Sequence, residues 1–303
     1  MDPLSNVLSI LKPRNYLAAG FEASGDWSIQ FPDQRGAIKT GAITAGSCWL
    51  AVDGNVAPVQ LQTGDCFLLP SGLPFRLASD LALPSVAPGP IFAGPRKGNL
   101  ACVNDGGEFS IVSNRFALSG NYAGLLLRML PPIVLIRDTP DQTALRWSID
   151  RMMTELRDPQ PGGFLIIEHL AQLMLIHALR MHLQQRSTTG IGWLFALADP
   201  QISRALNAMH NEPAYPWTLH DLATHAAMSR STFALKFKTI VGTSPMEYLV
   251  NWRMALAGDR LENSDEPISV MAPALGYASE AAFSTAFKRV MGCAPRQYCR
   301  RAS

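Results

Sequence analysis

A twofold internal repeat near the carboxyl end constrains the fold more than any other feature of this sequence. The segments 222–238 and 271–288 both end in Phe-x-x-x-Phe-Lys, and a serine, Ser229 or Ser279, precedes the first Phe by four residues. A serine hydroxyl suits the N-cap of a helix, because it accepts a hydrogen bond from an otherwise unpaired backbone N–H. Two phenylalanines four residues apart lie on one helix face and anchor it in a core. Each segment therefore predicts a short helix, a tight turn and a capped amphipathic helix, which is the helix-turn-helix arrangement.

Each repeat is followed by the same helix-stop and helix-start residues. The segments 242–245 and 292–295 both run from a glycine to a proline. Glycine commonly ends a helix and proline commonly begins the next, so each second helix is predicted to stop there. Between the repeats, residues 246–261 predict one connecting helix that carries Trp252 and Arg253. A separation of about 34 Å between the two units would let both enter one face of B-form DNA.

Size and composition indicate a folded protein of two domains. The chain has 303 residues, of which 48% are hydrophobic and 17% charged, as is typical of compact globular proteins. The net charge of +2 is unevenly spread, because residues 216–303 hold ten Lys and Arg against seven Asp and Glu. This excess is compatible with a C-terminal domain that faces phosphates, although many solvated helices share it.

The sequence predicts a cytoplasmic protein without a disulfide framework. No uninterrupted apolar run approaches the ~20 residues of a membrane span, and the first residues lack the basic-then-apolar order of a secretory signal. We therefore expect no membrane association. The five cysteines are scattered and never form a C-x-x-C pair, which argues against both disulfide pairing and a zinc site.

The first part of the chain is predicted to be all-β. Short β-type runs at 47–52 and 66–69 are bounded by turn residues. Residues 53–55 predict a hairpin turn into a further strand at 56–61. The proline-rich stretch 81–98 predicts an irregular loop.

After Pro140 the apolar residues recur at helical spacing. Two helices are predicted, at 143–157 and 164–185, and neither contains Pro or Gly. The second carries a broad apolar stripe of Ile167, Leu170, Met174 and Ala178 or Met181. Periodicity does not distinguish burial of this stripe against the β domain from burial in a subunit interface.

Several motifs occur together in a way that resembles the AraC/XylS family of regulators. Over about residues 200–300 the resemblance rests on Trp217-Thr218-Leu219, Ser244-Pro245, Trp252-Arg253-Met254, Gly276-Tyr277, 283–288 and 295–298. It implies a DNA-binding domain of two helix-turn-helix units bridged by a long helix. The segments 1–5, 64–77 and 192–200 are similar to family members with a cupin-like N-terminal half, though these motifs are less specific.

The combined prediction is an α+β multidomain protein. Residues 1–140 would form a cupin-like β-barrel, or jelly roll, that regulates and binds a ligand. Residues 141–187 would form a helical hairpin that dimerises. A linker at 188–200 would lead into an all-α DNA-binding domain at 201–303 with the two helix-turn-helix units.

The resemblance also implies which residues contact DNA. In the family an arginine commonly reads a base two residues before the second Phe, where this chain has Leu235 and Thr285, and neither can make a bidentate contact with guanine. The basic residues would contact phosphates, unless their lysines only form a solvated helix face. The predicted DNA-binding set is Arg230, Ser231, Thr232, Leu235, Lys236, Lys238, Ser279, Ala281, Ala282, Thr285, Lys288 and Arg289. Pro273 lies in the first helix of the second unit and is expected to delay or bend it, which would weaken that unit.

The metal ligands of cupin enzymes are missing from this sequence. The second cupin motif resembles residues 64–72, but Phe75 stands where a histidine would follow, and the first histidine is His169. His177 and His182 are five apart and do not share a helix face. We therefore predict no cofactor and no metal. Candidate ligand-binding residues are the aromatic Trp49, Phe67 and Phe75, with Arg76 as an anion anchor, although aromatic residues in strands usually form plain core.

These observations predict a sequence-specific DNA-binding transcription regulator that is not an enzyme. Its expected partners are double-stranded promoter DNA, RNA polymerase, an unidentified small-molecule effector in the N-terminal barrel, and a second copy of the chain. One alternative is a regulator that keeps the fold, has weak or lost DNA specificity, and acts by pairing with another protein. A second alternative is a cupin enzyme with an accessory domain, although no G-x-S-x-G nucleophile motif is present.

Overall fold

The computed structural model describes residues 2–34, 37–54, 57–117, 132–137, 143–184 and 192–302. Contacts along the chain divide these residues into two compact units. The first, here called the β unit, contains the described residues between 13 and 117 and between 132 and 184. The second, here called the helical unit, contains residues 2–12 and 192–302.

Eleven strands within the described residues build two sheets in the β unit. They are β1 (Arg14–Ala23), β2 (Ser28–Phe31), β3 (Ile38–Ala45), β4 (Ser47–Val52), β5 (Val59–Gln62), β6 (Cys66–Leu69), β7 (Phe75–Ala78), β8 (Arg96–Lys97), β9 (Leu100–Val103), β10 (Phe109–Ala117) and β11 (Val134–Ile136). The larger sheet has the order β11-β6-β3-β10-β1-β9-β8, and the smaller has the order β2-β7-β4-β5. Neighbouring strands are antiparallel except for β1 and β9.

The core of the β unit lies between the two sheets. Alternate residues of each strand point inward, so Phe21, Ile43 and Ile111 of the larger sheet meet Leu50 and Phe75 of the smaller one. This sandwich of buried faces explains why the strands at 47–52 and 66–69 could be predicted with their bounds. The predicted hairpin also forms, because β4 pairs with β5, although that strand begins later than predicted and positions 55–56 of its turn lie outside the described residues.

The proline-rich stretch 81–98 is not wholly irregular, and this prediction was wrong in part. It contains the short helix α2 (Pro88–Ala93) and the two-residue strand β8. Proline interrupts a helix when it lies beyond the first turn. Within the first turn of a helix it is favourable, because its fixed φ angle suits the helical conformation. Pro88 and Pro90 both lie within the first turn of α2, so here they begin a helix.

Two long helices complete the β unit. They are α3 (Thr143–Arg157) and α4 (Gly163–Gln184), which pack on each other, and α4 also contacts β1, β6 and β11. The apolar stripe from Ile167 to Ala178 is buried in these contacts. Burial against the β domain therefore accounts for the stripe.

Several large apolar side chains on the same two helices remain exposed. Trp147 of α3 and Phe164, Leu165 and Leu173 of α4 each expose 39% or more of their area. By length and composition, the segment Gly163–Met181 of α4 is long and apolar enough to cross a membrane, and it is the one such segment among the described residues. Its high apolar content reflects apolar residues on both the buried and the exposed face of the helix.

The helical unit contains nine helices within the described residues. They are α1 (Pro3–Leu11), α5 (Trp193–Ala198), α6 (Pro200–Asn211), α7 (Leu219–His225), α8 (Arg230–Val241), α9 (Pro245–Asn263), α10 (Ile268–Ala274), α11 (Glu280–Met291) and α12 (Pro295–Ala302). The predicted order of a β half and an all-α half with two helix-turn-helix units is confirmed.

The amino-terminal helix belongs to the helical unit. Helix α1 buries Leu4, Val7 and Ile10, and it contacts α6 and α9. Lys12, just after α1, forms a 2.8 Å ion pair with Asp259 of α9. The sequence-based division, which counted these residues with 1–140, did not anticipate the contacts.

Candidate nucleic-acid interface

The second helices of the two repeats, α8 and α11, begin and end in the same way. The hydroxyl of Ser229 accepts a hydrogen bond from the Thr232 N–H at 3.3 Å, and that of Ser279 accepts one from the Ala282 N–H at 3.2 Å. Both helices end at a glycine in the left-handed region, Gly242 and Gly292. The predicted N-caps and helix stops are confirmed.

The first helices, α7 and α10, are also equivalent. Each has seven residues, and each begins three residues before the start of its repeated segment. Pro273 was expected to make α10 begin late or bend. It is the second-last residue of α10, and the helix starts at the position equivalent to the start of α7, so the expected delay was wrong. A proline this late in the helix removes its own backbone donor and crowds only the turn before it, so it does not delay the start of the helix.

The turn between the two helices of each unit needs one residue in the left-handed region. Ala227 fills this position in the first unit with φ 53°, and Gly276 fills it in the second with φ 78°. The next residue in each case donates a 2.9 Å hydrogen bond back to the first helix. A Cβ on Gly276 would lie 2.6 Å from the Ala214 carbonyl oxygen and 2.7 Å from the Arg253 guanidinium, so only glycine fits.

One face of each second helix is buried by its two phenylalanines. Phe233 and Phe237 of α8 and Phe283 and Phe287 of α11 have no exposed area. Within each pair the ring centroids are 5.6 Å and 5.8 Å apart. Phe283 is thus a core residue of the second unit, as its spacing predicted.

Most of the predicted DNA-binding residues lie on the opposite, exposed faces. Leu235 exposes 72% of its area, and Thr285 occupies the equivalent exposed position on α11. The other exposed members of the set are Arg230, Ser231, Thr232, Lys238, Ser279, Ala281, Ala282, Lys288 and Arg289. These side chains form a surface that combines small residues with four basic ones.

Lys236 departs from this pattern, and its assignment to phosphate contact is corrected. Its ammonium lies 2.7 Å from the carboxylate of Asp199 and donates a 2.9 Å hydrogen bond to the side-chain oxygen of Gln201. Burial would raise the pKa of Asp199, but Lys236 and the backbone amides of Ile202 and Gln201 outweigh it and lower that pKa. Lys236 therefore holds α8 to the start of α6.

Two polar residues to which the sequence analysis assigned no role stabilise the interior of the helical unit. The guanidinium of Arg253 donates to the carbonyl oxygens of Pro213 and Tyr215 at 2.6 Å and 2.8 Å. His210 is 5% exposed, stacks on Trp252 with ring centroids 3.9 Å apart, and lies 2.8 Å from the Tyr248 hydroxyl. Burial lowers the pKa of His210 to about 3. The sequence motif includes Arg253, but it does not indicate the role of this residue, because the carbonyl oxygens that it binds lie some 40 residues away.

The four predicted ligand-binding residues do not surround a common cavity. Phe67 and Phe75 are fully buried in the core, and Trp49 lies half-buried on the opposite face of its strand. The Arg76 guanidinium donates a 2.7 Å hydrogen bond to the Ser28 hydroxyl and another to the Leu83 carbonyl. Alternation along the strands separates the two faces, so Trp49 and Arg76 cannot join the two phenylalanines.

A cavity of about 560 Å³ lies elsewhere in the β unit. One wall comes from β1, β3 and β10, where it includes Lys39 and Arg115. The other wall comes from the end of α3 and the start of α4, where it includes Glu155 and Phe164. Among the described residues no group of three His, Cys, Asp or Glu side chains could hold a metal ion, and the side chain of His182 lies outside them.

Comparisons with known proteins cover both units. A cupin family model matches residues 2–184, and a helix-turn-helix domain model matches residues 222–301. A relative from Streptomyces lividans, named as an AraC-like transcription regulator, is 41% identical over 299 residues, which is 98% of either chain. A relative of the same name from Streptomyces antibioticus is 40% identical with the same coverage. The regulator AlkR of Acinetobacter baylyi is 29% identical over 98% of this chain and 99% of its own. The chain therefore belongs to the family of AraC-like, DNA-binding transcription regulators.

Proposed function

We propose that this regulator binds promoter DNA through the exposed faces of α8 and α11, under the control of a small molecule held in the β unit. The observation that carries the proposal is the equivalence of the two helices. Each is capped by serine, stopped by glycine and anchored by two buried phenylalanines, and each leaves an exposed face of small and basic residues. Such a helix can enter a major groove with its exposed face toward the bases.

The exposed residues divide by the part of DNA that they suit. Arg230 and Lys238 of α8 and Lys288 and Arg289 of α11 carry the charges that phosphates attract. Ser231, Leu235, Ala281, Ala282 and Thr285 are uncharged and would lie along the base edges. Alanine and leucine make only apolar contacts, chiefly with the thymine methyl group. The operator is therefore expected to be rich in A·T pairs and to be read partly through DNA shape.

The domain division follows from the same proposal. Residues 201–303 would bind DNA, 1–140 would sense the effector, and 141–187 would dimerise, joined by the linker 188–200. The exposed apolar residues Trp147, Leu165 and Leu173 on α3 and α4 support the dimer, because large apolar side chains that remain exposed favour association. A dimer would present two copies of the DNA-binding surface to one operator.

The remaining parts of the proposal concern location and partners. A regulator that binds promoter DNA would work in the cytoplasm of a bacterium. RNA polymerase would be its further partner there. We assign no catalytic activity to the chain. Measurement of Fe, Mn and Zn in the purified protein tests this assignment, because a stoichiometric metal would favour a cupin enzyme.

The deciding experiment compares two DNA duplexes over a range of salt concentrations. One duplex carries the promoter region upstream of the gene for this protein, and the other has the same composition in random order. We expect the promoter to bind at least tenfold more tightly at physiological salt, with both affinities falling as salt rises. Equal affinity for the two duplexes at every salt concentration would instead favour a partner protein that has lost DNA specificity.

A further inference from the structure

The cavity of the β unit carries an unusual pair of charges on its sheet wall. Lys39 of β3 and Arg115 of β10 lie directly opposite each other in the strand register, and both line the cavity. Like charges in this position repel each other. Lys39 is 7% exposed, so water cannot screen this repulsion well.

The Lys39 ammonium has one hydrogen-bond acceptor among the described residues. It donates to the Ser113 hydroxyl at 3.0 Å, and that hydroxyl donates to the Ala19 carbonyl oxygen at 3.2 Å. An ammonium has three donor hydrogens, and a buried cation normally has a carboxylate or several acceptors beside it. Burial, and then the charge of Arg115, lower the pKa of Lys39 to about 8, so the amine is still mostly protonated at neutral pH.

The helical wall offers the opposite chemistry. Glu155 of α3 is 3% exposed. One of its oxygens accepts a 2.5 Å hydrogen bond from Arg151, while the other, Oε2, is buried and has no hydrogen-bond partner among the residues that the structure describes. Gly163 faces this oxygen: a Cβ there would lie 2.7 Å from it. The glycine thus leaves room beside a buried acceptor that lacks a donor.

The rest of the lining is mainly apolar. Phe31, Phe92, Leu156, Phe164 and Ile167 contribute to it. A volume of about 560 Å³ lies in the range of small-molecule sites, which combine an apolar lining with a few placed polar groups. The lining thus presents the adjacent cations Lys39 and Arg115, a further cation at Arg96, one buried acceptor and mainly apolar side chains.

We propose that this cavity binds a small organic acid with an apolar body, whose carboxylate lies at Lys39 and Arg115 and whose hydroxyl group donates to Glu155 Oε2. The inference rests on the proposed function, because it names the chemical class of the effector in the β unit. A carboxylate relieves the repulsion between the two cations and supplies the acceptors that Lys39 lacks. The hydroxyl satisfies the buried oxygen of Glu155.

The test measures thermal unfolding and calorimetric titration of the full chain at pH 7 with three matched probes. They are 3-(4-hydroxyphenyl)propanoate, 3-phenylpropanoate and the neutral 3-phenylpropanamide. The pair octanoate and octanamide extends the test to a flexible body. We expect the hydroxy acid to bind best, the simple acids less well, and the amides at least tenfold more weakly than their acids. Failure of every acid to bind, or equal binding of acid and amide, overturns the proposal.

Three variants assign the contacts. Lys39→Met keeps the length of the side chain but removes the charge, so the protein should lose at least tenfold in affinity for the acids and bind acid and amide alike. Without ligand this variant should have a melting temperature no lower than that of the wild type, because it has lost a buried charge that Arg115 repels. A lower melting temperature would show that the ammonium stabilises the fold itself, and it would overturn the proposal. Glu155→Gln should lose the preference for the hydroxy acid. Arg180→Met, which removes one exposed charge of α4, should change neither property.

DNA binding is measured separately, so the two proposals can fail independently. If the acids bind as expected but leave promoter affinity unchanged, the ligand class stands and the control of DNA binding by the β unit fails. If the promoter is bound specifically and no acid binds, the cavity proposal fails and the DNA-binding proposal stands.

Discussion

The ammonium of Lys236 lies 2.7 Å from the carboxylate of Asp199, the N-cap residue of α6. This ion pair links α8, the second helix of the first repeat, to the start of α6. Asp199 also accepts two 3.0 Å hydrogen bonds from the backbone N–H groups of Gln201 and Ile202. One carboxylate thus caps α6 and pairs with α8. Two lysines on the same helix, Lys236 and Lys238, therefore have different roles, because Lys238 is exposed.

This difference is testable with a matched pair of variants. Lys236→Met should lower the free energy of unfolding of the helical unit by on the order of 1 kcal/mol, because it removes a half-buried ion pair. Lys238→Met should leave stability unchanged. In DNA titrations over a range of salt, Lys238→Met should reduce the slope of log K against log salt by about one unit, while Lys236→Met leaves that slope intact. The reverse pattern of slopes would show that Lys236, and not Lys238, contacts phosphate.

The exposed position of Leu235 leads to a prediction about sequence preference. Because 72% of its area is exposed, Leu235→Arg should fold and melt like the wild type. A guanidinium there can reach the O6 and N7 atoms of guanine, and one such contact discriminates between bases by about 1–3 kcal/mol. Selection from random duplexes should therefore reveal a new guanine in the bound sequences.

Leu235→Lys is the matched control for this change. It adds the same charge without the planar guanidinium group that can donate two parallel hydrogen bonds. It should therefore raise the affinity for all DNA and leave the preferred sequence unchanged. If neither variant changes affinity or preference, position 235 does not face the groove.

The two turn positions predict opposite effects of exchanging alanine and glycine. An alanine in the left-handed region costs about 1–2 kcal/mol relative to its usual conformation, and glycine avoids this strain at some cost in chain entropy. Ala227→Gly should therefore stabilise the helical unit by about 0.5–1 kcal/mol. Gly276→Ala should destabilise it by about 2–4 kcal/mol, since the new Cβ would overlap the Ala214 carbonyl and the Arg253 guanidinium. Denaturant unfolding measures both changes, and effects of the same sign would contradict this account.

The sequence predicted best those features that depend on neighbouring residues. Ser229, Gly242 and Pro245 each act within one turn of a helix, so their roles follow from local spacing. Lys236 shows the limit of such reasoning. Its partner Asp199 lies 37 residues away, and nothing in the repeat distinguishes a lysine that pairs internally from one that is free.

The ligand site illustrates a second limit. Trp49 and Phe75 were singled out because they are aromatic, but the direction of each side chain depends on the register of its strand. The cavity that does form brings Lys39, Arg115 and Glu155 together from β3, β10 and α3. These residues are spread over more than 100 positions. The pairing of β3 with β10 makes Lys39 and Arg115 neighbours, and the packing of α3 and α4 on the sheet brings Glu155 to the same cavity.

The buried histidine predicts how the stability of the helical unit depends on pH. In the unfolded chain His210 takes up a proton near its ordinary pKa of 6.5, whereas burial keeps it neutral in the fold down to about 3. The stability due to the neutral form is therefore complete above pH 6.5 and is lost progressively as the pH falls toward 3. Between pH 7 and pH 5 linkage gives a loss of about 2 kcal/mol from this one group.

Substitution isolates this contribution from that of the carboxylates. Between pH 7 and pH 5 the free energy of unfolding of His210→Gln should fall less steeply with decreasing pH than that of the wild type. The difference in slope should correspond to about one fewer proton taken up on unfolding. The variant should also be less stable than the wild type at pH 8, because it loses the ring that stacks on Trp252 at 3.9 Å. His220→Gln, at an exposed position of α7, is the matched control for replacing a histidine that is not buried. If His210→Gln and wild type keep the same slope, His210 is protonated within the fold at pH 5, and some group other than the buried ring accounts for any acid sensitivity of the helical unit.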